Sequence, residues 1–156
     1  MIKLFTDGSC CPQSKLGFGS YLLVYDEDKP LDLLKEDIKT KKFADTSSTK
    51  LEVQTLLWAL EDLTFEVNEL IIYTDCQNII GLDDRRAGFE NKNYLTSKGK
   101  LINNHDLYKK FYSLKDKFDF KLVKVKGHKK NSLKNDIDKV FNLVDKASRV
   151  ALRENI

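Results

Sequence analysis

The sequence predicts an α/β domain with a five-stranded mixed sheet, in which three antiparallel strands are followed by two parallel strands and helices flank the sheet. Three early segments have the composition and turn boundaries of strands. An amphipathic helix then precedes a short apolar run, and this order favours parallel pairing through a crossover. The 156 residues suffice for a sizeable core, so we expect one domain over residues 1–156.

The early strands are predicted at residues 3–6, 17–25 and about 38–44. The turn-like stretches CCPQSK and DEDKP bound the second of them. We expect these three strands to form the antiparallel part of the sheet.

The firmest helix is predicted over residues 51–63, where apolar side chains recur on one helical face. Ser47, Ser48 and Thr49 precede it as candidate caps. Four later segments complete the pattern: a buried strand at 70–74, an irregular region to 106, an amphipathic helix over 107–118 and a half-exposed strand at 120–125. A last helix is expected to begin near Asn135 or Asp136.

The composition narrows the class of protein. The net charge of +3 is mildly basic, so attraction to nucleic acid must come from local clusters of Lys and Arg. Three cysteines, two of them adjacent, fit neither a disulfide framework nor a zinc site. The chain lacks an apolar stretch near the roughly 20 residues that a membrane span requires. We therefore expect a cytoplasmic protein with reduced thiols and no membrane partner.

Four acidic residues stand at positions that folding can bring together. Asp7 and Asp75 each follow an apolar strand segment, in KLFTDGS and LIIYTDCQ, while Glu52 opens the first helix and Asp145 lies on the last. If the two strands are parallel, both carboxylates emerge at the sheet edge where α/β proteins bind ligands. Two carboxylates about 4 Å apart repel by roughly 4 kcal/mol. Such a cluster needs cations, and all-oxygen ligands suit Mg²⁺ or Mn²⁺ better than zinc.

Each acid also has a structural alternative. Asp7 and Asp75 could end strands before turns, because Asp favours turns. Glu52 fits a capping box with Thr49, in which its side chain reaches back to the backbone of the cap residue. Asp145 could be a solvated helix residue.

Five motifs, TDGSC, STKLE, YTDCQ, KGH and VDKASR, occur in this order between Ile2 and about Arg153. Together with the order of elements, they resemble type 1 ribonuclease H, the family that cuts the RNA strand of RNA/DNA hybrids. The resemblance implies a ribonuclease H-like fold, and it implies that Asp7, Glu52, Asp75 and Asp145 bind two Mg²⁺ ions, which Mn²⁺ can replace. It further implies that His128 is a mobile catalytic histidine and that water attacks in line, leaving 5′-phosphate and 3′-hydroxyl ends.

The resemblance also implies contacts with the hybrid's minor groove, where 2′-hydroxyls mark the RNA strand. The matching positions are Gly8, Cys10, Ser48, Thr49 and Gln77. Ser48 and Thr49 stand where many members carry Asn or Gln, and they reach less far.

Two further regions are candidates for substrate contact. Gln13 is the nearest amide in the turn CPQSK, which replaces a glycine-rich turn of the family. Arg85 and Arg86 begin a cluster of cations, in a region that in many members grips the DNA strand, and Asn104 lies shortly after it. We expect the arginines to bind phosphates, although a solvated charged loop is an equal alternative.

The interval between His128 and Asp145 is longer than the family usually shows. Asp138 lies nearer to the usual spacing and therefore competes for the fourth metal position. We favour Asp145, because the small residues of VDKASR resemble the family's helix around that acid.

Other functions remain open. A non-catalytic module that binds nucleic acid on the same fold is the main alternative, although all four carboxylates are present. Proofreading exonucleases normally carry a second acid two residues after the first, where this chain has Ser9. Signalling receivers have paired acids after the first strand, which are absent here. We expect a free-standing, monomeric endoribonuclease.

Overall fold

The computed structural model describes residues 1–63, 69–126 and 135–156. These residues form five strands, β1 to β5, and six helices, α1 to α6. In chain order they are β1 Ile2–Cys11, β2 Leu16–Val24, α1 Leu31–Glu36, β3 Lys39–Phe43, α2 Ser48–Glu61, β4 Leu70–Thr74, α3 Gln77–Ile80, α4 Leu82–Asn91, α5 His105–Lys117, β5 Phe120–Lys124 and α6 Asp136–Glu154.

The sheet has the order β3-β2-β1-β4-β5. Strands β1, β2 and β3 pair antiparallel, while β4 pairs parallel with both β1 and β5. The predicted fold class is therefore confirmed, including its division into antiparallel and parallel parts. Strand β1 lies at the centre and joins the two parts.

A hydrophobic core covers each face of the sheet. Alternation along β1 sends Leu4 to one face and Phe5 to the other. On the first face, Leu56 of α2 and Phe111 of α5 are fully buried against the sheet. On the second, α6 buries Val144 against the ring of Phe5 and its neighbours. The central strand thus lies between two packed layers.

Three parts of the sequence prediction are wrong. Strand β1 continues to Cys11 instead of ending at residue 6, because it stays paired with β2 as far as the Cys11–Leu16 pair. Helix α1 is an addition that starts after Pro30, a residue suited to helix starts, and buries only Leu34. Helices α3 and α4 occupy much of the region predicted to be irregular. Helix α4 buries only Leu82, so it shows almost no apolar periodicity.

The predicted caps of two long helices agree with the structure, although α2 begins three residues before the predicted 51–63 segment and ends two residues before its end. Ser47 caps α2, and its hydroxyl oxygen accepts a hydrogen bond from the backbone N–H of Lys50 at 3.3 Å. Asn135 caps α6 through a reciprocal capping box with Asp138. Helix α6 therefore begins where the sequence indicates.

Helix α2 approaches the sheet closely where β1 and β2 carry glycines. Gly8 and Gly19 are direct partners across the two strands. A methyl group at Gly8 would lie 2.9 Å from the side chain of Leu51, and one at Gly19 would lie 2.0 Å from Oγ1 of Thr55. Helix α2 can therefore occupy this position only above glycines.

The described part of the chain holds no helix that combines the length and the apolar character needed to cross a bilayer.

We expect Gly19→Ala to lower the free energy of unfolding by about 1–3 kcal/mol, because the added methyl group must push α2 off the sheet. Gly88→Ala is the matched control. Gly88 lies in α4, where a methyl group would meet no neighbouring atom within 4 Å, so alanine should stabilise the protein by about 0.5–1 kcal/mol. Urea denaturation midpoints measure both effects. Equal midpoints for the two variants would contradict the close approach.

Candidate active site

Asp7 and Asp75 lie side by side because of the register between two parallel strands. Phe5 of β1 is paired with Tyr73 of β4, and their rings stack with centroids 4.9 Å apart. Continuing this register by two residues places Asp7 beside Asp75, on the same face as the stacked rings. Strand β4 ends at Thr74, whereas β1 continues. The two carboxylates therefore meet where the parallel part of the sheet ends.

Glu52 reaches this edge from α2. Its Oε1 atom accepts a hydrogen bond from the backbone N–H of Gly8 at 3.2 Å. Leu51, the preceding residue, packs over Gly8 and is almost fully buried. Ser47, and not Thr49, is the cap of α2, so Glu52 does not form the capping box that the sequence allowed. The side chain of Glu52 is turned toward β1 instead.

The three carboxylates form one compact group. A carboxylate oxygen from each of Asp7, Glu52 and Asp75 lies within 4.8 Å of the others. Asp7 is 4% exposed and Glu52 is 9% exposed, so little water reaches the two side chains. Folding brings together three acids that the sequence separates by up to 68 positions (75 − 7).

Asp145 approaches the group from α6 on the opposite face of the sheet. Beside the larger effect of burial, it helps to raise the pKa of Asp7, but it is not among the three acids whose oxygens lie within 4.8 Å of one another. It also forms an ion pair with Arg149, one turn further along the helix, at 2.6 Å. The side-chain oxygens of Ser148 and of Ser9, a residue of β1, are 3.5 Å apart. These contacts place the middle of α6 beside the carboxylates.

Burial and mutual repulsion disfavour ionisation of the central pair. Burial, followed by the charge of Glu52, raises the pKa of Asp7 well above its usual range. Burial, followed by the charge of Asp75, raises the pKa of Glu52. A divalent cation would reverse both effects, since opposite charge favours the ionised form.

One oxygen of Glu52 is suited to such a cation. The Oε2 atom is buried and has no hydrogen-bond partner among the residues that the structure describes. A buried carboxylate oxygen without a partner is energetically unfavourable. The donor set of this cluster consists of carboxylate oxygens, which are ligands for a hard cation such as Mg²⁺ or Mn²⁺. The residues therefore fit the metal that the sequence predicts.

The structure separates the two candidates for the fourth acid. The side chain of Asp138 accepts a hydrogen bond from the backbone N–H of Asn135 at 3.1 Å, in the first turn of α6. Asp145 lies about 10 Å further along the helix axis. Asp145 contributes to the raised pKa of Asp7, so the geometry favours it as the fourth ligand, and the assignment stays a prediction. His128, the predicted catalytic histidine, lies outside the described residues.

The predicted groove contacts lie on β1, α2 and α3, close in the chain to Asp7, Glu52 and Asp75. Cys10 lies on β1 beyond Asp7 and directs its thiol to the carbonyl oxygen of Thr46 at 3.8 Å. Ser48 and Thr49 are exposed in the first turn of α2. Gln77 is exposed at the start of α3, two residues after Asp75.

Two further predicted contacts lie in turns. Gln13 is exposed in the turn between β1 and β2, where its amide oxygen accepts from the thiol of Cys11 at 3.3 Å. Asn104 precedes α5 in a left-handed backbone conformation with φ 64°, and its side chain makes no capping bond. The role of each as a substrate contact stays a prediction.

The two arginines of α4 have partners within the protein. Arg86 forms a two-pronged ion pair with Asp116 at 2.7 and 2.8 Å and also contacts Glu90. Arg85 donates to Asn78 and to the carbonyl oxygen of Gly81. Whether either also binds phosphate stays a prediction.

Two neighbours of the site were missed in the sequence. Lys124 of β5 donates to the amide oxygen of Gln77 at 2.7 Å. Arg149 pairs with Asp145. The contact between Arg149 and Asp145 could have been found, because residues four apart on a helix are neighbours. The contact between Lys124 and Gln77 could not, since only the folded sheet brings these positions together.

Comparison with known proteins agrees with this geometry. Residues 1–147 match the RNase H family. The protein named Ribonuclease H in Clostridium botulinum is 28% identical over 146 residues, which cover 90% of this chain and 93% of that protein. A Ribonuclease H of Caldicellulosiruptor saccharolyticus is 24% identical over 151 residues, covering 95% and 98%. One of Shewanella halifaxensis is 30% identical over 132 residues, covering 81% and 74%.

The raised pKa values predict how the metal-free protein responds to pH. A carboxyl group whose pKa rises on folding holds its proton more tightly in the folded state. The stability of the metal-free protein should therefore fall as pH rises above about 4, the unfolded-state value. Asp7→Asn removes one of these charges, so at pH 8 in EDTA it should raise the free energy of unfolding by at least about 1 kcal/mol.

Asp119→Asn is the control, because Asp119 is an exposed acid just before β5. It should leave the pH profile nearly unchanged. Urea denaturation between pH 4 and 9 measures all three proteins. If Asp7→Asn were less stable than the wild type at pH 8, the repulsion would be absent.

Proposed function

The chain belongs to the ribonuclease H family, and we propose that it is an endoribonuclease that hydrolyses the RNA strand of RNA/DNA hybrids. The observation that carries the proposal is the group of carboxylates from Asp7, Glu52 and Asp75, with oxygens within 4.8 Å of one another. Two of them ionise with difficulty without a cation. Buried carboxyl groups with strongly shifted pKa values destabilise the folded protein when no cation is bound, and such groups are typical of functional sites.

We assign Asp7, Glu52, Asp75 and Asp145 as the residues that hold two Mg²⁺ ions, which Mn²⁺ can replace. When bound, such ions lower the pKa of water and stabilise charge on the phosphate. The products would be 5′-phosphate and 3′-hydroxyl ends.

The protein's own contribution is to fix these carboxylates before the substrate arrives. Glu52 is oriented by the backbone N–H of Gly8. Asp7 lies on a central strand that is packed on both sides, and Asp145 is held by its ion pair with Arg149. Fixed ligands avoid reorganisation during the reaction. We assign to His128 the transfer of a proton or assistance to product release.

The hybrid would lie across the edge of the sheet, with its minor groove over the carboxylates. Gly8, Cys10, Ser48, Thr49 and Gln77 are near this edge on three different elements. Their thiol, hydroxyl, amide and backbone groups match the 2′-hydroxyls and base edges that a minor groove displays. Gln13 and Asn104 would contact the flanking backbone.

The proposal predicts cleavage of labelled RNA in an RNA/DNA hybrid in the presence of Mg²⁺ or Mn²⁺. EDTA should abolish the activity, and added metal should restore it. Single-stranded RNA and duplex DNA should remain intact, since neither presents a hybrid minor groove. Gel analysis of the products shows the substrate and the chemistry of the ends. Tight hybrid binding without cleavage in either metal would instead support a non-catalytic binding module.

Asp145→Asn should lower the cleavage rate by roughly a hundredfold or more. Substituting a residue that only contacts a metal ligand already lowers activity by up to about a hundredfold, and loss of a ligand should have at least that effect. Asp138→Asn is the matched control on the same helix. This variant should cleave at the wild-type rate. Because it weakens the capping box of α6, it should lower the free energy of unfolding by less than about 1 kcal/mol. Initial rates in Mg²⁺ and urea midpoints compare the two. The reverse pattern would assign the fourth ligand to Asp138.

A further inference from the structure

Helix α3 is a single turn whose position matters for the site. It comprises Gln77–Ile80 and follows Asp75 after one residue, Cys76. Its first turn has no side-chain cap. A single helical turn is unstable in isolation, because forming the first turn is unfavourable without tertiary contacts. Contacts from other elements must therefore fix α3.

Ile79 anchors α3 in the core, Lys124 of β5 donates to Gln77, and Arg85 of α4 adds three hydrogen bonds to Asn78 and Gly81. Its Nε atom donates to the carbonyl oxygen of Gly81 at 3.3 Å. Its Nη2 atom donates to the side-chain oxygen of Asn78 at 2.8 Å and also to the backbone carbonyl of Asn78. The carbonyl oxygen of Asn78 belongs to α3, while that of Gly81, between α3 and α4, also accepts from the backbone N–H of Arg85 at 3.3 Å. The side chain of Arg85 therefore joins α3 to the first turn of α4.

Two aromatic rings hold the guanidinium group in place. Its central carbon lies 5.6 Å from the ring centre of Phe89 and 6.0 Å from that of Tyr108. The two rings are parallel within 1°, with centroids 5.6 Å apart. The hydroxyl oxygen of Tyr108 accepts a hydrogen bond from Asn78 at 3.2 Å, so α3, α4 and α5 form one closed network.

The network is connected to the carboxylates through a short stretch of backbone. Asn78 is three residues from Asp75. Between them the backbone N–H of Cys76 donates to the hydroxyl of Thr74 at 3.1 Å, and the next residue after Asn78, Ile79, is fully buried. A shift of α3 would therefore move Asp75 relative to Asp7.

We propose that Arg85 is a positioning residue for hydrolysis, which holds the α3 turn and thereby fixes the carboxylate of Asp75 and the amide of Gln77. This inference rests on the proposed function above. It gives Arg85 a role different from the phosphate contact that its place in a cationic cluster predicts. Displacement of a reacting group by about 1 Å can lower a rate by about a hundredfold.

Arg85→Met and Arg85→Lys test the proposal together. Lysine keeps the charge but lacks the planar fork that reaches several acceptors at once. Both variants should therefore lower kcat by roughly tenfold to a hundredfold, with a smaller change in KM. Both should also weaken Mn²⁺ binding by about tenfold in calorimetry without substrate. The salt dependence of hybrid binding should stay that of the wild type.

Two further variants complete the design. Asn78→Ala removes the side-chain acceptor of Arg85 and the donor to Tyr108, and it should lower kcat and Mn²⁺ affinity in the same direction as Arg85→Met. Tyr112→Phe is the control, because it removes a buried hydrogen bond to the carbonyl oxygen of Leu82 at 2.6 Å without touching α3. It should lower the unfolding midpoint while keeping kcat and Mn²⁺ affinity, measured well below that midpoint.

Three results would overturn the proposal. In the first, Arg85→Lys behaves as the wild type, while Arg85→Met lowers the slope of log affinity against log salt concentration by about one phosphate contact. This result would make Arg85 a phosphate ligand. Both Arg85 variants could keep kcat and Mn²⁺ affinity. Tyr112→Phe could show the same losses as Arg85→Met, which would make the effect one of stability. If the wild type fails to cleave hybrids, the proposed function fails, and the Mn²⁺ titrations still decide the role of Arg85.

Discussion

The repulsion between the buried carboxylates of Asp7 and Glu52 is the constraint on which the rest of this structure depends. If both groups were ionised at about 4 Å, they would repel by roughly 4 kcal/mol at an effective dielectric constant near 20, and burial together with this cost raises the pKa of Asp7. Fully burying one large apolar side chain contributes about 1.5–3 kcal/mol. Leu51 and Val53, which flank Glu52, are both buried, as are Leu4 and Phe5 before Asp7. Burial of a few such side chains offsets the cost of keeping the acids together, and without a cation the raised pKa of Asp7 favours a proton on that carboxyl in place of a second charge.

The topology of the sheet explains why the acids meet at one place. Strand β1 pairs antiparallel with β2 and parallel with β4, so it is the point where the direction of the sheet changes. Helix α2 packs on one face of the sheet and α6 on the other. Side chains from opposite faces can meet only beyond the end of a strand. Strand β4 ends at Thr74, and there Asp75 and Glu52 converge on Asp7, with Asp145 approaching from α6.

The sequence was sufficient where apolar periodicity was strong. It predicted β4 to the residue, the start of α6 at its Asn135 cap, and the division of the sheet into antiparallel and parallel strands. It failed for α1 and α4, because each buries a single side chain and so has no periodic pattern. At the candidate site it indicated the three acids, Asp7, Glu52 and Asp75, whose oxygens come together. It could not indicate the bond between Gly8 and Glu52, since that depends on how closely α2 approaches β1.

The arginines of α4 show why charge in a sequence is a weak guide to binding. A cluster of cations near a predicted nuclease site suggests phosphate contacts, because both arginines have donors that fit phosphate oxygens. The structure directs those donors elsewhere: Arg86 is paired with Asp116, and Arg85 is bonded to Asn78. Breaking such contacts to bind phosphate would have its own energetic cost. Whether a cation is available to a substrate therefore depends on its partners in the folded protein, which charge patterning along the chain does not reveal.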